Sequence, residues 1–110
     1  MKYLCLVYLE GQKLHAVADS ECFAFGEDFK ASGLLIAAEA LQPVETATTV
    51  RVRHGSMMTT DGPFAETKEQ LAGFYLLEAK DLNEAIQLAS KIPPAREGSI
   101  EVRPVRALEP

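Results

Sequence analysis

The sequence predicts an α+β fold in which two helices cover one face of a mainly antiparallel sheet. The chain has 110 residues, the length of one domain, and its 47% hydrophobic and 25% charged residues are ordinary for a globular protein. Segments of strand and helix character follow one another in the order β-α-β-β-β-α-β. No repeat, linker or low-complexity tract divides them. We therefore expect a single domain over residues 1–110.

The first two predicted elements are a strand and a helix. Residues 2–9 form a short apolar and aromatic run in which both alternating sets of side chains are apolar, as in a strand. Residues 19–33 show helical periodicity, with Asp19 or Ser20 as N-cap and Gly33 as the C-terminal stop. A strand followed directly by a helix is typical of the start of a mixed fold.

Two further strands occupy the middle of the chain. Residues 34–41 are apolar except for one carboxylate, and residues 46–55 alternate between an apolar set and a set with two arginines. We expect these two strands to pair as a hairpin. Residues 56–60 are compatible with an extension of this meander before the sequence Asp61-Gly62-Pro63-Phe64, whose composition predicts a break in regular structure.

The last third of the chain predicts a strand, a helix and a final strand. Residues 72–79 are an apolar strand. Residues 81–92 carry a helical apolar stripe, and Asp81 with Glu84 three positions later resembles a capping box. Residues 99–105 alternate as a strand, and the proline near their end indicates either an edge position or the end of the strand.

The strands carry more apolar surface than two helices can cover. The first, second and fourth predicted strands are apolar on both sides, although helices on one face bury only one side of a sheet. The simplest cover for the second face is the same sheet of another copy, related by a two-fold axis. The pattern thus predicts a ferredoxin-like homodimer.

Charge and targeting signals narrow the partners and the compartment. A net charge of -5 argues against nucleic acid or an anionic membrane surface as the main partner, since either would select for a basic face. The apolar run at the N-terminus lacks a cleavage site, and no apolar run reaches the roughly 18 residues of a spanning helix. We expect a cytoplasmic protein that binds a small molecule or another protein.

No motif for a cofactor or a metal stands in the sequence. Cys5 and Cys22 lack the CxxC or His/Cys spacing of a zinc site, and no GxGxxG or P-loop motif occurs. We interpret both cysteines as reduced, small, buried hydrophobic residues. His15 and His54 have no partner at a telling spacing and are interpreted as surface residues. We expect no metal and no cofactor.

Two carboxylates are candidates for a functional role, and each has a structural alternative. Glu39 interrupts an apolar strand, so it lies either at the mouth of a cleft, where desolvation raises its pKa, or in water near the strand end. Asp61 either makes an Asx-turn or presents its carboxylate to a site. The residue pattern leaves both choices open.

The charges around Asp61 have similar alternatives. Glu66, Lys68 and Glu69 form either a solvated loop or the components of an acid–base site, which needs a carboxylate and a nearby cation. On the preceding strand, Arg51 and Arg53 share one side. They bind an anion or pair with Glu101 on the last strand.

Several segments together resemble the YCII-related family in its DGPF-domain branch. They are MKYLCLVY at the start, AEAL, TATTVRVRHG, TDGPFAETKEQLAGFYLLEA and GSIEVRPV at the end, so the resemblance spans nearly the whole chain. It implies a dimeric α+β barrel, in a fold group that includes cofactor-free enzymes such as muconolactone isomerases and quinol monooxygenases. Members of this branch are mostly of unknown biochemical function, and many are encoded beside extracytoplasmic-function sigma factors.

The resemblance also carries residues over. The family motif falls on positions 61–64 and on three charged residues after them, and Glu39 lies on a strand similar to the family's. Better-known relatives are suspected of using a His-Asp pair in a cleft; the Asp corresponds to Asp61, but no histidine here matches.

Two functions remain open after these observations, and whether the chain is an enzyme is not decided. The first is a cofactor-free lyase, isomerase or hydrolase with Asp61 or Glu39 as general base, and with Lys68 or Arg53 holding an anionic group. In this hypothesis the remaining substrate contacts are Phe64, Glu66 and Glu69. The second is a ligand-sensing or protein-interaction module that acts alongside a sigma factor without turnover.

Overall fold

The computed structural model describes residues 1–110 as a four-stranded antiparallel sheet, two helices and a separate two-stranded hairpin. The elements in chain order are β1 (Lys2–Glu10), α1 (Asp19–Ala31), β2 (Leu35–Ala40), β3 (Thr48–Arg53), β4 (Ser56–Asp61), β5 (Glu69–Glu78), α2 (Leu82–Ala89) and β6 (Ser99–Pro104). The predicted α+β class with an antiparallel sheet and two helices is confirmed. Neither helix is long and apolar enough to cross a membrane.

The large sheet has the strand order β2-β5-β1-β6. β1 lies in the interior of the sheet, where Cys5 is opposite Tyr75 of β5 on one side and Val102 of β6 on the other. β6 is an edge strand that ends at Pro104, so the proline lies where a missing backbone N–H is tolerated. If β3 and β4 are set aside as an insertion, the order is that of a ferredoxin-like sheet.

The predicted hairpin between residues 34–41 and 46–55 is wrong. β2 pairs with β5, and β3 pairs instead with β4 in a separate ladder. The turn between β3 and β4 is His54-Gly55, and both residues have positive φ, at 52° and 75°. Two central residues with positive φ form the type of tight turn that matches the twist of a hairpin. The chain therefore reverses direction at residues 54–55, at the end of the predicted third strand, and not in the loop that precedes that strand.

The N-terminal end of α1 differs from the prediction, whereas its C-terminal end agrees with it. The N-cap is Ala18, which has no side chain to accept a hydrogen bond, so the prediction of Asp19 or Ser20 as N-cap is wrong. Asp19 and Glu21 lie instead inside the first turn, where their charge favours the positive end of the helix dipole. Gly33 follows the helix with φ at 80°, as expected for a residue that ends a helix.

α2 begins as the sequence predicts. The side chain of Asp81 accepts a hydrogen bond from the backbone N–H of Glu84 at 2.9 Å, and the Glu84 carboxylate accepts one from the N–H of Lys80 at 3.1 Å. A 3-10 turn at Pro93–Arg96 follows the helix. Its Arg96 donates two hydrogen bonds to the Glu21 carboxylate, at 2.6 and 3.0 Å, and ties this turn to α1.

The core lies between the helices and one face of the large sheet. Alternate residues of β1 point into it, and Cys5, Leu77 and Ile92 are its most deeply buried large side chains. The helices contribute smaller or aromatic groups, and the buried cluster comprises Tyr3, Cys5, Val7, Phe29, Leu77, Ala79, Ala85, Ala89 and Ile92. Cys5 is buried, Cys22 is half-buried, and both are free thiols.

The opposite face of the sheet is covered by no element of the chain. We call it the open face; its apolar residues are Leu4, Leu6, Tyr8, Phe74 and Leu76, which are all half-buried. Arg103 lies on the same side, because it is opposite Leu4 in the register. The predicted two-sided apolar character of β1 and β5 is therefore present, and the homodimer stays a prediction.

β3 and β4 form what we call the arm, residues 48–61. No residue of the arm is buried. The register places Val50 opposite Thr59 and Val52 opposite Met57, so these residues share one side, on which Asp61 also lies. Val50, Val52 and Met57 are 59%, 61% and 70% exposed. The apolar side of the arm therefore has no partner within its own chain.

Candidate functional site

A large cleft lies between α1 and the sheet at its free edge, strand β2. Its volume is about 810 Å³, and 15 of its 25 lining residues are hydrophobic. This volume and this mostly apolar lining are those of pockets that hold small organic ligands. The polar and ionisable lining residues are His15, Asp19, Cys22, Glu27, Lys30, Glu39, Gln42 and Tyr75.

One face of α1 forms the wall of this cleft. Cys22, Gly26 and Lys30 follow at intervals of four residues, so they share one helix face, and all three line the cleft. A Cβ atom built on Gly26 would find no neighbouring atom within 4 Å. The absence of a side chain at this position therefore keeps the cleft open beside the helix.

Tyr75 lines the cleft from β5, on the helix-covered side of the sheet. The Phe25 ring packs edge-on against it, with ring centroids 5.8 Å apart, and Phe25 contacts Phe29 in the same way at 5.5 Å. Such edge-to-face pairs are favourable beyond their buried area. The aromatic contacts hold the phenol in place while its hydroxyl remains available to a ligand.

The two weak acids of the cleft wall stay protonated at neutral pH. Burial raises the pKa of Tyr75, and its proximity to Cys22 raises it further. Burial also raises the pKa of the Cys22 thiol, with the charges of Glu21 and Asp19 adding to the effect and Arg96 opposing it. A raised pKa leaves the thiol a poor nucleophile. Tyr75 and Cys22 are therefore hydrogen-bond donors in this cleft, which suits binding and not covalent catalysis.

The rim of the cleft carries acidic and basic side chains. Glu39 lies on β2 opposite Phe74, is exposed, and forms no ion pair or side-chain hydrogen bond within the chain. His15 and Lys30 line the same cleft and are also exposed. Because Glu39 is opposite Phe74, its side chain lies on the open-face side of β2 and meets the cleft around the free edge of that strand, whereas Tyr75 lines the cleft from the helix-covered side. A carboxylate at this edge can take a proton from a bound molecule, and basic groups on the cleft wall can hold a negative charge on it.

Asp61 lies elsewhere, as the last residue of the arm. It is exposed, and no backbone N–H donates to its side chain: the residue two positions on, Pro63, has no N–H, and the N–H of Gly62 donates to the carbonyl of Ala47 at 2.7 Å. The Asx-turn interpretation of Asp61 is therefore wrong. Its carboxylate does not line the large cleft of its own chain. Gly62 has φ at 96°, which glycine adopts without strain, so the turn itself depends on the glycine.

The other predicted site residues lie on the arm or in the loop after it. Arg53 is at the tip of the arm and donates to the carbonyl of Val52 at 3.0 Å. Phe64 is 80% exposed, so its ring is not packed into the core of its own chain. Glu66 is exposed as well. None of these three residues lines the large cleft.

Lys68 and Glu69 contact residues of the large sheet. The Lys68 ammonium lies 3.5 Å from the Glu10 carboxylate, and Glu69 accepts a hydrogen bond from the Ser99 hydroxyl at 2.7 Å. The predicted pairing of Arg51 or Arg53 with Glu101 is wrong. Glu101 pairs instead with Arg103 of its own strand at 3.9 Å, because the arginines of β3 belong to a different sheet.

Of the seven predicted site residues, the structure places only Glu39 at the cleft. Sequence reasoning missed His15, Lys30 and Tyr75. A signal existed for Lys30, since it continues the helical spacing of Cys22 and Gly26, and for Tyr75, since it shares the helix-facing set of its strand. His15 lies in a loop, where no periodicity predicts the direction of a side chain.

Comparisons with known proteins add a family and a fold. The profile of the YCII-related domain matches residues 1–109. An uncharacterised protein of Rhizobium meliloti (strain 1021) is 46% identical over 72 residues, which are 64% of this chain and 58% of that protein. The chain thus matches little more than half the length of this relative.

A solved structure shares the fold at low sequence identity. It is the 5-chloro-2-hydroxyhydroquinone dehydrochlorinase TftG from Burkholderia phenoliruptrix AC1100, in complex with 2,5-dihydroxybenzoquinone. The TM-score is 0.58 at 15% identity, and the match covers 96% of this chain and 94% of TftG. At this identity the likeness establishes a common architecture.

Proposed function

This chain belongs to the YCII-related domain family, and on that premise we propose that it is a small cofactor-free enzyme for a small organic substrate, with a carboxylate as general base. The observation that carries the proposal is the cleft of about 810 Å³, which combines a mostly apolar lining with the unpaired Glu39 carboxylate. The sequence Asp61-Gly62-Pro63-Phe64 further supports a place in the DGPF branch of the family.

We assign roles to four of the eight polar residues that line the cleft. Glu39 takes a proton from the part of the substrate that reaches around the free edge of β2, and Lys30 with His15 holds the negative charge that develops. Tyr75 donates a hydrogen bond from the apolar wall, where burial keeps it protonated. Asp61 is a second candidate for the base or its charge partner, and it can act only if another copy brings the arm to a cleft.

The substrate class that fits best is a planar, hydroxylated ring. TftG, which shares the fold, is a dehydrochlorinase of a hydroxylated hydroquinone and binds a dihydroxybenzoquinone. A ring of this kind presents apolar faces to the cleft wall and acidic hydroxyl groups to the rim. Lys68 and Arg53 are further candidates for contacts with an anionic group, and Phe64, Glu66 and Glu69 are further candidates for substrate contacts. Like Asp61, these residues can act only if another copy brings them to a cleft.

The test is a ligand screen followed by one substitution at the cleft. A ligand of the native state raises the melting temperature, so hydroxylated aromatic compounds are screened by thermal shift. With the compound that is turned over, Glu39→Gln is expected to lower kcat by about 100-fold or more while binding changes little. The matched control is Glu109→Gln, an exposed carboxylate outside the cleft that has no proposed role. Unchanged turnover in Glu39→Gln would rule out Glu39 as the base.

A ligand-sensing or protein-interaction module linked to a sigma factor is the second candidate function. The exposed apolar arm and the 80% exposed Phe64 favour it, because such surfaces mark interaction sites. The two functions differ in turnover. A compound that binds the cleft and is recovered unchanged after long incubation, as followed by NMR, would favour sensing over catalysis.

We further propose that the working unit is a homodimer joined through the open face. Five half-buried apolar side chains on that face have no cover within the chain. A stable interface buries roughly 1,200 Å² or more in total. Light scattering at micromolar concentration should give twice the chain mass of 12.0 kDa, and a monomer at that concentration would contradict the proposal.

A further inference from the structure

The chain exposes more surface than a folded monomer of its size. Its accessible surface is 7813 Å², whereas a monomer of 12.0 kDa is expected to expose about 6,000 Å². Its radius of gyration is 15.7 Å, against about 13 Å for a compact domain of this length. The excess of roughly 1,800 Å² is larger than the ~800 Å² that each partner contributes to a standard interface.

The arm adds to this exposed surface, since none of its residues is buried. The shortest extent of the molecule is 20 Å, which is the thickness of one sheet with one layer of helices. The arm therefore lies beside these two layers and folds over neither of them. An isolated two-stranded hairpin is at best marginally stable in water, so an arm with an apolar side needs a cover.

The open face of a second copy can cover the apolar side of the arm, because it is apolar and has a suitable area. Four strands of about six residues present roughly 400 Å² in projection, about half of what one partner gives to a standard interface. The rest of the area that a standard interface needs can come from the arms, if each copy contributes one. The open face also carries charge: Arg103 is 69% exposed and lies 3.9 Å from Glu101 on the same face, so its exposed guanidinium can pair with a second carboxylate, and Asp61 on the apolar side of the arm has no ion pair.

We propose that the arm of one copy packs on the open face of a second copy through Val50, Val52 and Met57. The exchange is reciprocal, so each chain gives an arm and receives one. Asp61 is thereby carried onto the surface of the second copy, where Arg103 supplies the opposite charge. The arm is thus an element of the interface between two chains, and residues of the DGPF turn belong to a composite surface.

The first test uses two neighbouring methionines on opposite sides of the arm. Met57→Lys places a charge on the apolar side, and we expect it to weaken the dimer by about 100-fold or more in sedimentation velocity at a series of concentrations. Met58→Lys is the matched control, because Met58 lies opposite Arg51 on the other side of the hairpin. The control should remain within about threefold of the unsubstituted protein. Equal effects of both variants, or a dimer unchanged by Met57→Lys, would overturn the proposal.

The second test locates the arm without relying on a destabilised variant. A photo-crosslinking amino acid replaces Val52, and in the control it replaces Arg53 on the opposite side. Mixing isotope-labelled and unlabelled chains distinguishes crosslinks between chains from those within one chain. We expect position 52 to crosslink between chains to peptides of β1 or β5. Crosslinks confined to one chain, or directed to α1 and α2, would overturn the proposal. Neither test uses a substrate, so both stand whether or not the chain is an enzyme.

Discussion

The body of the molecule, made of the large sheet with α1 and α2, and the arm use the same antiparallel pairing to different ends. In the body, Cys5 and Leu77 are fully buried. In the arm no residue is buried, although its register is unbroken from Thr48 to Arg53. Backbone pairing therefore fixes the shape of both regions, whereas packing stabilises only one of them within the chain.

The largest difference between the two regions should appear when an apolar side chain is truncated in each. Leu77→Ala removes a fully buried side chain at the centre of the core and should lower the free energy of unfolding by about 2–5 kcal/mol. Val52→Ala on the arm should lower it by less than about 0.5 kcal/mol in the monomer. Urea unfolding followed by far-UV circular dichroism measures both.

Both truncations are made in a Met57→Lys background, which we expect to be monomeric, so that association does not contribute. A loss above about 2 kcal/mol for Val52→Ala in that background would mean that the arm is packed on its own body. The comparison between the two regions would then fail.

The second largest difference between the body and the arm should appear in the stability at alkaline pH. Burial raises the pKa of Cys5 from 9.0 to about 11, so the native state keeps this proton where the unfolded state loses it. Stability from this group is complete below pH 9 and is lost as pH rises towards 11, by up to about 2–3 kcal/mol. The arm has no group of this kind.

The measurement is urea unfolding at pH 8 to 11 for the protein and for Cys5→Ala. Since Tyr75 and Cys22 also have a raised pKa, the alkaline loss due to Cys5 is the difference between the two slopes. Parallel slopes would show that the thiol at position 5 reaches water in the native state.

Local pattern was enough to predict the helices and strands of the body, but not the pairing of β2 or the surroundings of the arm. The cap at Asp81 and the alternation of β1 depend on neighbours along the chain, and both are present in the structure. The pairing of β2 with β5 joins residues more than thirty positions apart, and β2 is apolar enough to fit beside either candidate strand. The alternation of β3 predicts an apolar side but not whether its own chain covers that side.

The site divides in the same way. Glu39 was chosen because it is the only charged residue in an apolar strand, and it does line the cleft. Lys30 and Tyr75 could have been found from helix and strand periodicity once the sheet face was known. Asp61 could not be placed, because it ends β4, whose pairing with β3 in a separate ladder the residue pattern did not predict.

A third prediction compares a glycine in each region. Gly26 lies inside α1 without a positive φ, and a methyl group on its Cα would have no neighbouring atom within 4 Å. Gly26→Ala should therefore stabilise the protein by about 0.5–1 kcal/mol. Gly55 in the arm has φ at 75°, so Gly55→Ala should destabilise the arm by a similar amount. Thermal unfolding measures the first change, and hydrogen exchange of arm amides measures the second.

The same position tests the cleft. Gly26→Leu keeps the helix but places a large side chain against the cleft, so it should abolish binding of the screened ligand while the protein stays folded. Full binding by Gly26→Leu would place the ligand elsewhere and remove the main support for the cleft as the site.

The smallest expected effect concerns the turn at the tip of the arm. His54 has φ at 52° and precedes Gly55, and Asn-Gly is the pair that such two-residue turns favour most. His54→Asn should stabilise the hairpin by a few tenths of a kcal/mol, because asparagine adopts positive φ with less strain. That gain corresponds to roughly twofold slower hydrogen exchange at the amides of β3 and β4. Amides of β1 and β5 should not change, since the arm opens without unfolding the body; slowing of both sets together would instead show that arm and body unfold as one cooperative unit.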